Sequence, residues 1–161
     1  MKKILLTLVS AFAFLLIFNG IFTSNTKLTS VGGYAVNIVN RTGTNSIKGQ
    51  VVAMSVGADD VGYVMLTNGM SPAIGVVFED DEDDGDPTFV AISGIAEVLL
   101  ASNALVSNGY YIYGDTNADA GYAYGSATEI ADQADYFLGY CLENLETTTN
   151  YEELATVLLK K

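Results

Sequence analysis

Residues 73–100 read AIGVVFEDDEDDGDPTFVAISGIAEVLL, and the parsing of this stretch decides the fold class. Residues 73–78 (AIGVVF) form a continuous apolar run of the length and β-branched character of a buried strand. Residues 79–86 then place seven acids in eight positions. Like charges so dense repel one another and push the segment into solvent, which suits a hairpin loop. Residues 88–93 (TFVAIS) and 95–100 (IAEVLL) return to a strand pattern, with Gly94 read as the break between them. Strand, acidic loop, strand, strand is therefore the local reading.

The same punctuation extends in both directions. Residues 35–40 (AVNIVN) alternate apolar and polar, as a half-buried strand does. A turn cluster over residues 41–46 (RTGTNS) separates them from residues 50–56 (QVVAMSV), which the turn residues 57–60 (GADD) end. Residues 61–67 (VGYVMLT) follow, closed by the hairpin dipeptide Asn68-Gly69. Further along, residues 110–113 (YYIY) and 121–124 (GYAY) flank a loop, and residues 136–142 and 154–159 supply two last strands. About ten short strands make this an all-β domain, a small barrel or sandwich. Residues 96–106 and 126–136 contain helix formers, and one or two short helical turns are the most expected there. No repeat of 20–50 residues is visible.

Composition narrows the function. The chain has 161 residues, enough to bury one core without staples. Net charge is −12, and between Leu28 and Leu159 only Arg41 and Lys48 are positive, against all 19 acids. Such a surface repels phosphate backbones, so nucleic acid is excluded as a partner. Histidine is absent, which removes the commonest general base and any histidine-bearing metal site. The acids fall in loops, tryptophan is absent and cations are scarce, so a paired-carboxylate hydrolase has little to work with. No phosphate-cradling glycine loop is present. A non-enzymatic protein that binds or assembles is the expectation. Cys141, the single cysteine, lies in an apolar run and reads as a buried small hydrophobe.

Two loops carry the candidate sites. In the acidic stretch Asp81, Asp83 and Asp84, with Asn40, Arg41 and Thr42 from the first turn cluster, are candidate contacts for a partner. A basic protein surface or divalent cations are what such acids attract. Asp115, Asn117 and Asp119 place oxygens at alternate positions before Gly121, as a calcium loop begins. The glycine stands one position late, and Ser126 occupies the place of the bidentate glutamate. No cofactor is otherwise expected. Seven tyrosines crowd the C-terminal third: Tyr110, Tyr111, Tyr113, Tyr122, Tyr124, Tyr136 and Tyr140. Cross-strand pairing accounts for them, and a stripe at a subunit interface is the sharper alternative.

The N-terminus is a separate matter. Lys2-Lys3 precede the apolar run of residues 4–18, continued by residues 19–22, in the manner of an export signal or membrane anchor. The expected organisation is a leader over residues 1–24, helical if translated, a linker over 25–35 and the β-domain over 36–161. A second possibility is that translation starts at Val36, with Gly32-Gly33 encoded by a ribosome-binding sequence. The leader would then be upstream sequence.

Several segments in order resemble the small β-barrel capsid decoration or head structural proteins of tailed bacteriophages. They are VNIVNRTGTNSIKGQVV (36–52), AIGVVFED (73–80) and FVAISGIAEVLL (89–100), with GYYIYGD (109–115) and DYFLGYCLENL (135–145) as weaker matches. The resemblance covers nearly all of residues 36–161, and the apolar leader departs from it. It implies a β-barrel, self-association (a trimer, for instance), a capsid or other assembly protein as partner, and a place in the virion. Taken literally, the leader implies instead an exported or membrane-anchored β-domain assembling at a cell surface or into an extracellular filament.

Overall fold

The computed structural model describes residues 26–28, 32–55, 62–67, 72–102, 104–116, 119–145 and 153–160. The expected leader, the turn at residues 57–60 and the Asn68-Gly69 hairpin lie outside them.

Ten strands are present among the described residues: β1 (Thr26–Leu28), β2 (Tyr34–Asn40), β3 (Val51–Met54), β4 (Gly62–Met65), β5 (Ala73–Val77), β6 (Pro87–Leu99), β7 (Tyr111–Gly114), β8 (Ala123–Ser126), β9 (Phe137–Cys141) and β10 (Leu154–Leu159). One 3-10 turn, Ala131–Tyr136, precedes β9, as the helical alternative for residues 126–136 allowed. The other helical alternative fails. Residues 96–99 are strand, because their alternation buries Ala96 and Val98 against the sheet interior. β1 falls within the expected linker: it pairs antiparallel with the start of β2, Leu28 opposite Tyr34.

Strand order is β1-β2-β4-β3-β5-β6-β10-β9-β7-β8, with β2 also paired to β6. That extra pairing closes β2, β4, β3, β5 and β6 into a five-stranded barrel. The β2–β4 contact is parallel (Asn40 opposite Tyr63), while the other paired strands run antiparallel. Closure removes most of the unpaired backbone that an open sheet would expose. The remaining strands extend β6 into a second array, β6-β10-β9-β7-β8. A parallel bridge, Leu100 to Ala123, brings β8 back beside the end of β6.

β6 is the hinge of this design and differs from the expectation of two strands. It runs 13 residues without interruption. Its first half pairs with β2 and β5, and its second half, from Gly94 on, pairs with β10. Two devices bend it between the arrays. The register against β2 jumps from Ala35–Ala91 to Tyr34–Ser93, leaving Ile92 as an extra residue. Gly94 takes φ +79°, and a Cβ there would stand 2.6 Å from Gly33 Cα. One glycine in the left-handed region turns the strand without reversing it.

Paired residues share a face, so register also assigns the core. Val36, Val90 and Val77 form one row, and Met54, Tyr63 and Asn40 another. Val52, Tyr63, Val77 and Val90 cluster in the barrel, with Ile38, Ile74 and Ile92 against them. The opposite parity of β3, β5 and β6 (Val51, Ala53, Val76, Ala91) packs on Val98, Ile112, Leu138, Cys141 and Val157 of the second array. A single apolar layer thus glues barrel to sheet. Each fully buried Val or Leu in it contributes about 1.5–3 kcal/mol.

Candidate functional site: an acidic cap and an aromatic face

The acidic connection between β5 and β6 does not float in solvent. It folds over one end of the barrel and is stitched to the turn that follows β2. Ser46 N–H donates to Glu82 O (2.9 Å), Ser46 Oγ donates to Glu79 O (2.9 Å), and Asp81 N–H donates to Ser46 O (3.0 Å). Glu82 N–H in turn donates to Ser46 Oγ at 3.0 Å. Asn40 N–H donates to Asp86 O and Gly85 N–H to Asn40 O, each at 2.8 Å. Carboxylates join in: Asp84 Oδ1 accepts from Gly43 N–H at 2.9 Å, and Asp80 Oδ1 accepts from Lys48 N–H. Serine and asparagine in the first loop supply what the second loop's backbone needs. Asp81 adopts φ +65°, a left-handed conformation that aspartate tolerates better than most residues.

Asn40 is the bracket of this cap. Its side chain is fully buried, and Nδ2 donates to Thr44 O (2.8 Å) and Glu82 O (3.1 Å). Its Oδ1 accepts from Thr42 N–H (3.0 Å) and Thr42 Oγ1 (2.8 Å). With no exposed surface, Asn40 has nothing to present to a partner, which corrects its reading as a contact residue. Arg41 and Thr42 are half-buried, and Asp81, Asp83 and Asp84 are exposed at the same end. Arg41 lays its stem over Gly62, where a Cβ would stand 2.5 Å from Arg41 Cγ. Its Nη1 reaches within 3.5 Å of the Cβ position at Gly85, so the guanidinium sits inside the acidic loop. Lys48 forms an ion pair with Glu97 of β6. Both cations of the domain's interior sequence are therefore placed against its acids.

Beneath the cap lies Tyr63, wholly buried, with a hydroxyl that makes no hydrogen bond among the described residues. Burial drives its pKa far upward, and the nearby Glu82 and Asp84 carboxylates add to the shift. Thr88 Oγ1 is a second buried hydroxyl without a partner.

The expected calcium loop is only partly described. Asp115 N–H donates to Tyr122 O (2.7 Å) and Tyr122 N–H to Asp119 O (3.1 Å), the bonds of a hairpin turn. Asn117 lies outside the described residues. No group of three or more Cys, Asp or Glu able to hold a metal ion occurs among the described residues. Cys141 is buried; its Sγ–H donates to Glu143 O at 3.2 Å, and burial raises its pKa.

The tyrosines build a second feature, on the outer face of the second array. Tyr111 lies opposite Tyr140, and Tyr113 opposite both Phe137 and Tyr124. Ring centroids are 5.3 Å apart for Tyr111–Tyr140, 5.5 Å for Tyr113–Phe137 and 5.8 Å for Tyr113–Tyr124. These are ordinary distances for attractive aromatic pairs. Residues 127–136 fold over one half of this face. Ile130 N–H donates to Tyr113 Oη (2.9 Å), and Tyr124 Oη–H donates to Gln133 Oε1 (2.5 Å). That flap buries Tyr113. The other half stays open. Register carries a row across it: Ile95 on β6, Leu158 on β10, Tyr140 on β9 and Tyr111 on β7. Leu158 is 42% exposed, and Lys160 Nζ stands 5.6 Å above the Tyr140 ring. Ile95 and Leu158 were not picked out from the sequence. The signal was the parity of residues 154–159, where Ala155, Val157 and Leu159 face inward and Leu158 must face out.

No family model matches this chain, and no curated protein matches it. Among solved structures its fold is similar to the N base of the head fiber protein gp8.5 of bacteriophage phi29. The TM-score is 0.50 at 20% identity, and the alignment covers 78% of this chain and 94% of that chain. The likeness is one of fold.

Proposed function

We propose that this chain is a non-enzymatic structural subunit of a bacteriophage virion, a capsid decoration protein that works by binding and self-association. The observation that carries the reading is the fold likeness to the phi29 head fiber base, which spans nearly the whole of that domain. The acidic cap supports it: carboxylates held in place by a fixed loop form a preorganised surface for a basic partner, and steer its approach. Arg41, Thr42, Asp81, Asp83 and Asp84 are the contacts assigned to the capsid, with Asn40 holding them in position. A subunit that binds only the assembled shell stabilises that shell by mass action.

The test is the protein content of purified particles. Particles banded by density from the organism carrying the gene are expected to contain this chain at a fixed ratio to the main shell protein, by mass spectrometry. Recovery in the membrane fraction alone, with particles devoid of it, overturns the proposal and favours the exported or anchored domain.

A further inference from the structure

We infer that the open half of the aromatic face receives a second copy of this chain, with Lys160 of one copy against the acidic flap of the other. The inference rests on the assembly reading above and names the surface that performs it.

The row Ile95, Leu158, Tyr140 and Tyr111 crosses four adjacent strands, roughly 15 Å at a strand spacing of about 4.8 Å. It is apolar along its length. The carboxylates that border it are engaged within the chain: Glu97 pairs with Lys48, and Glu143 Oε1 accepts from Thr156 N–H. In a domain of net charge −12 this matters, because two copies repel wherever acids face acids. The flanks of the row are of opposite sign. On the β10 side stands Lys160, exposed and drawn over Tyr140. On the far side, beyond β7, lies the flap, whose exposed acids are Glu129, Asp132 and Asp135. A cation on one flank and three acids on the other make the face complementary to itself when two copies meet in opposite sense. Tyrosine and leucine at the centre, with charges at the rim, is also the ordinary anatomy of a protein interface.

The experiment measures the mass of the full chain by size-exclusion chromatography with light scattering over a dilution series. Wild type is expected to run as a multiple of the monomer that dissociates on dilution. Lys160→Glu places like charge on both flanks and is expected to weaken association by about tenfold. Combining Lys160→Glu with Asp132→Lys and Asp135→Lys reverses both flanks and is expected to restore it. Leu158→Asp, shown folded by circular dichroism, is expected to abolish it. A monomeric wild type overturns the inference, as does a multimer whose mass none of these variants changes. A monomer still present in particles ends this inference while leaving the virion reading intact. A multimer absent from particles does the reverse. Loss of capsid binding in a monomeric Leu158→Asp variant assigns the face to the shell, and so also overturns the second copy as its occupant.

Discussion

Asn40 and Tyr63 sit opposite one another in neighbouring strands and carry opposite consequences. Asn40 makes four side-chain hydrogen bonds in a buried setting, so Asn40→Ala strands two carbonyls and a hydroxyl as well as losing the bonds. We expect a loss of about 2–3 kcal/mol, read from urea unfolding. Tyr63→Phe removes a hydroxyl that is already desolvated and unbonded. It should be neutral or stabilising by up to about 1 kcal/mol at neutral pH. Its effect on pH dependence follows from the raised pKa. In the unfolded chain tyrosine ionises above about pH 10, whereas the folded hydroxyl is held neutral. The unfolded state then binds fewer protons, so this residue's contribution falls as pH rises beyond 10. Urea midpoints between pH 9 and 11 should decline less steeply in Tyr63→Phe than in wild type. Part of this was legible beforehand. Asn40 shares parity with Val36 and Ile38, which points its side chain into the barrel. The loop that satisfies it is 42 positions away, and no local pattern reveals that.

At the scale of elements, the strands were readable because their apolar residues alternate or run on between turn residues. The acidic loop was readable as a loop. Its attachment to the first turn was not, since charge repulsion alone argues for a solvated excursion, and the bonds that oppose it are made by Ser46 and Asn40 to backbone. Gly94 misled for a definite reason. Glycine between two apolar runs signals a turn, yet reversing a chain needs more than one residue outside extended geometry, and here its neighbours stay extended. Gly94→Ala tests the bend. A methyl group would meet Gly33 Cα and Gly32 O at 2.6 and 2.8 Å, in a backbone region that alanine disfavours. A loss of at least about 2 kcal/mol is expected by thermal or urea unfolding. Ser93→Ala, one residue earlier, should cost less than about 0.5 kcal/mol if the φ of Gly94 is the cause.

For the molecule as a whole, fold class followed from strand count and punctuation, while closure did not. The barrel depends on a parallel contact of β2 with β4 and on β2 meeting β6, pairings between distant segments that periodicity cannot specify. The shared apolar layer predicts that barrel and second array unfold together. Tyrosine fluorescence reports mainly on the second array, where most of the tyrosines lie, and far-ultraviolet circular dichroism reports on both. Their urea transitions should coincide; two separated midpoints would show that the arrays are independent units.

β6 gives that unity a mechanical side. Thirteen residues of extended chain measure roughly 43 Å, and the same peptide chain serves as a wall of the barrel and as a stave of the far sheet. A load entering at one end of the subunit therefore reaches the other along covalent bonds instead of across an adhesive boundary. At its waist the molecule resists stretching as a backbone does, a useful property in any part that must stay attached while being tugged.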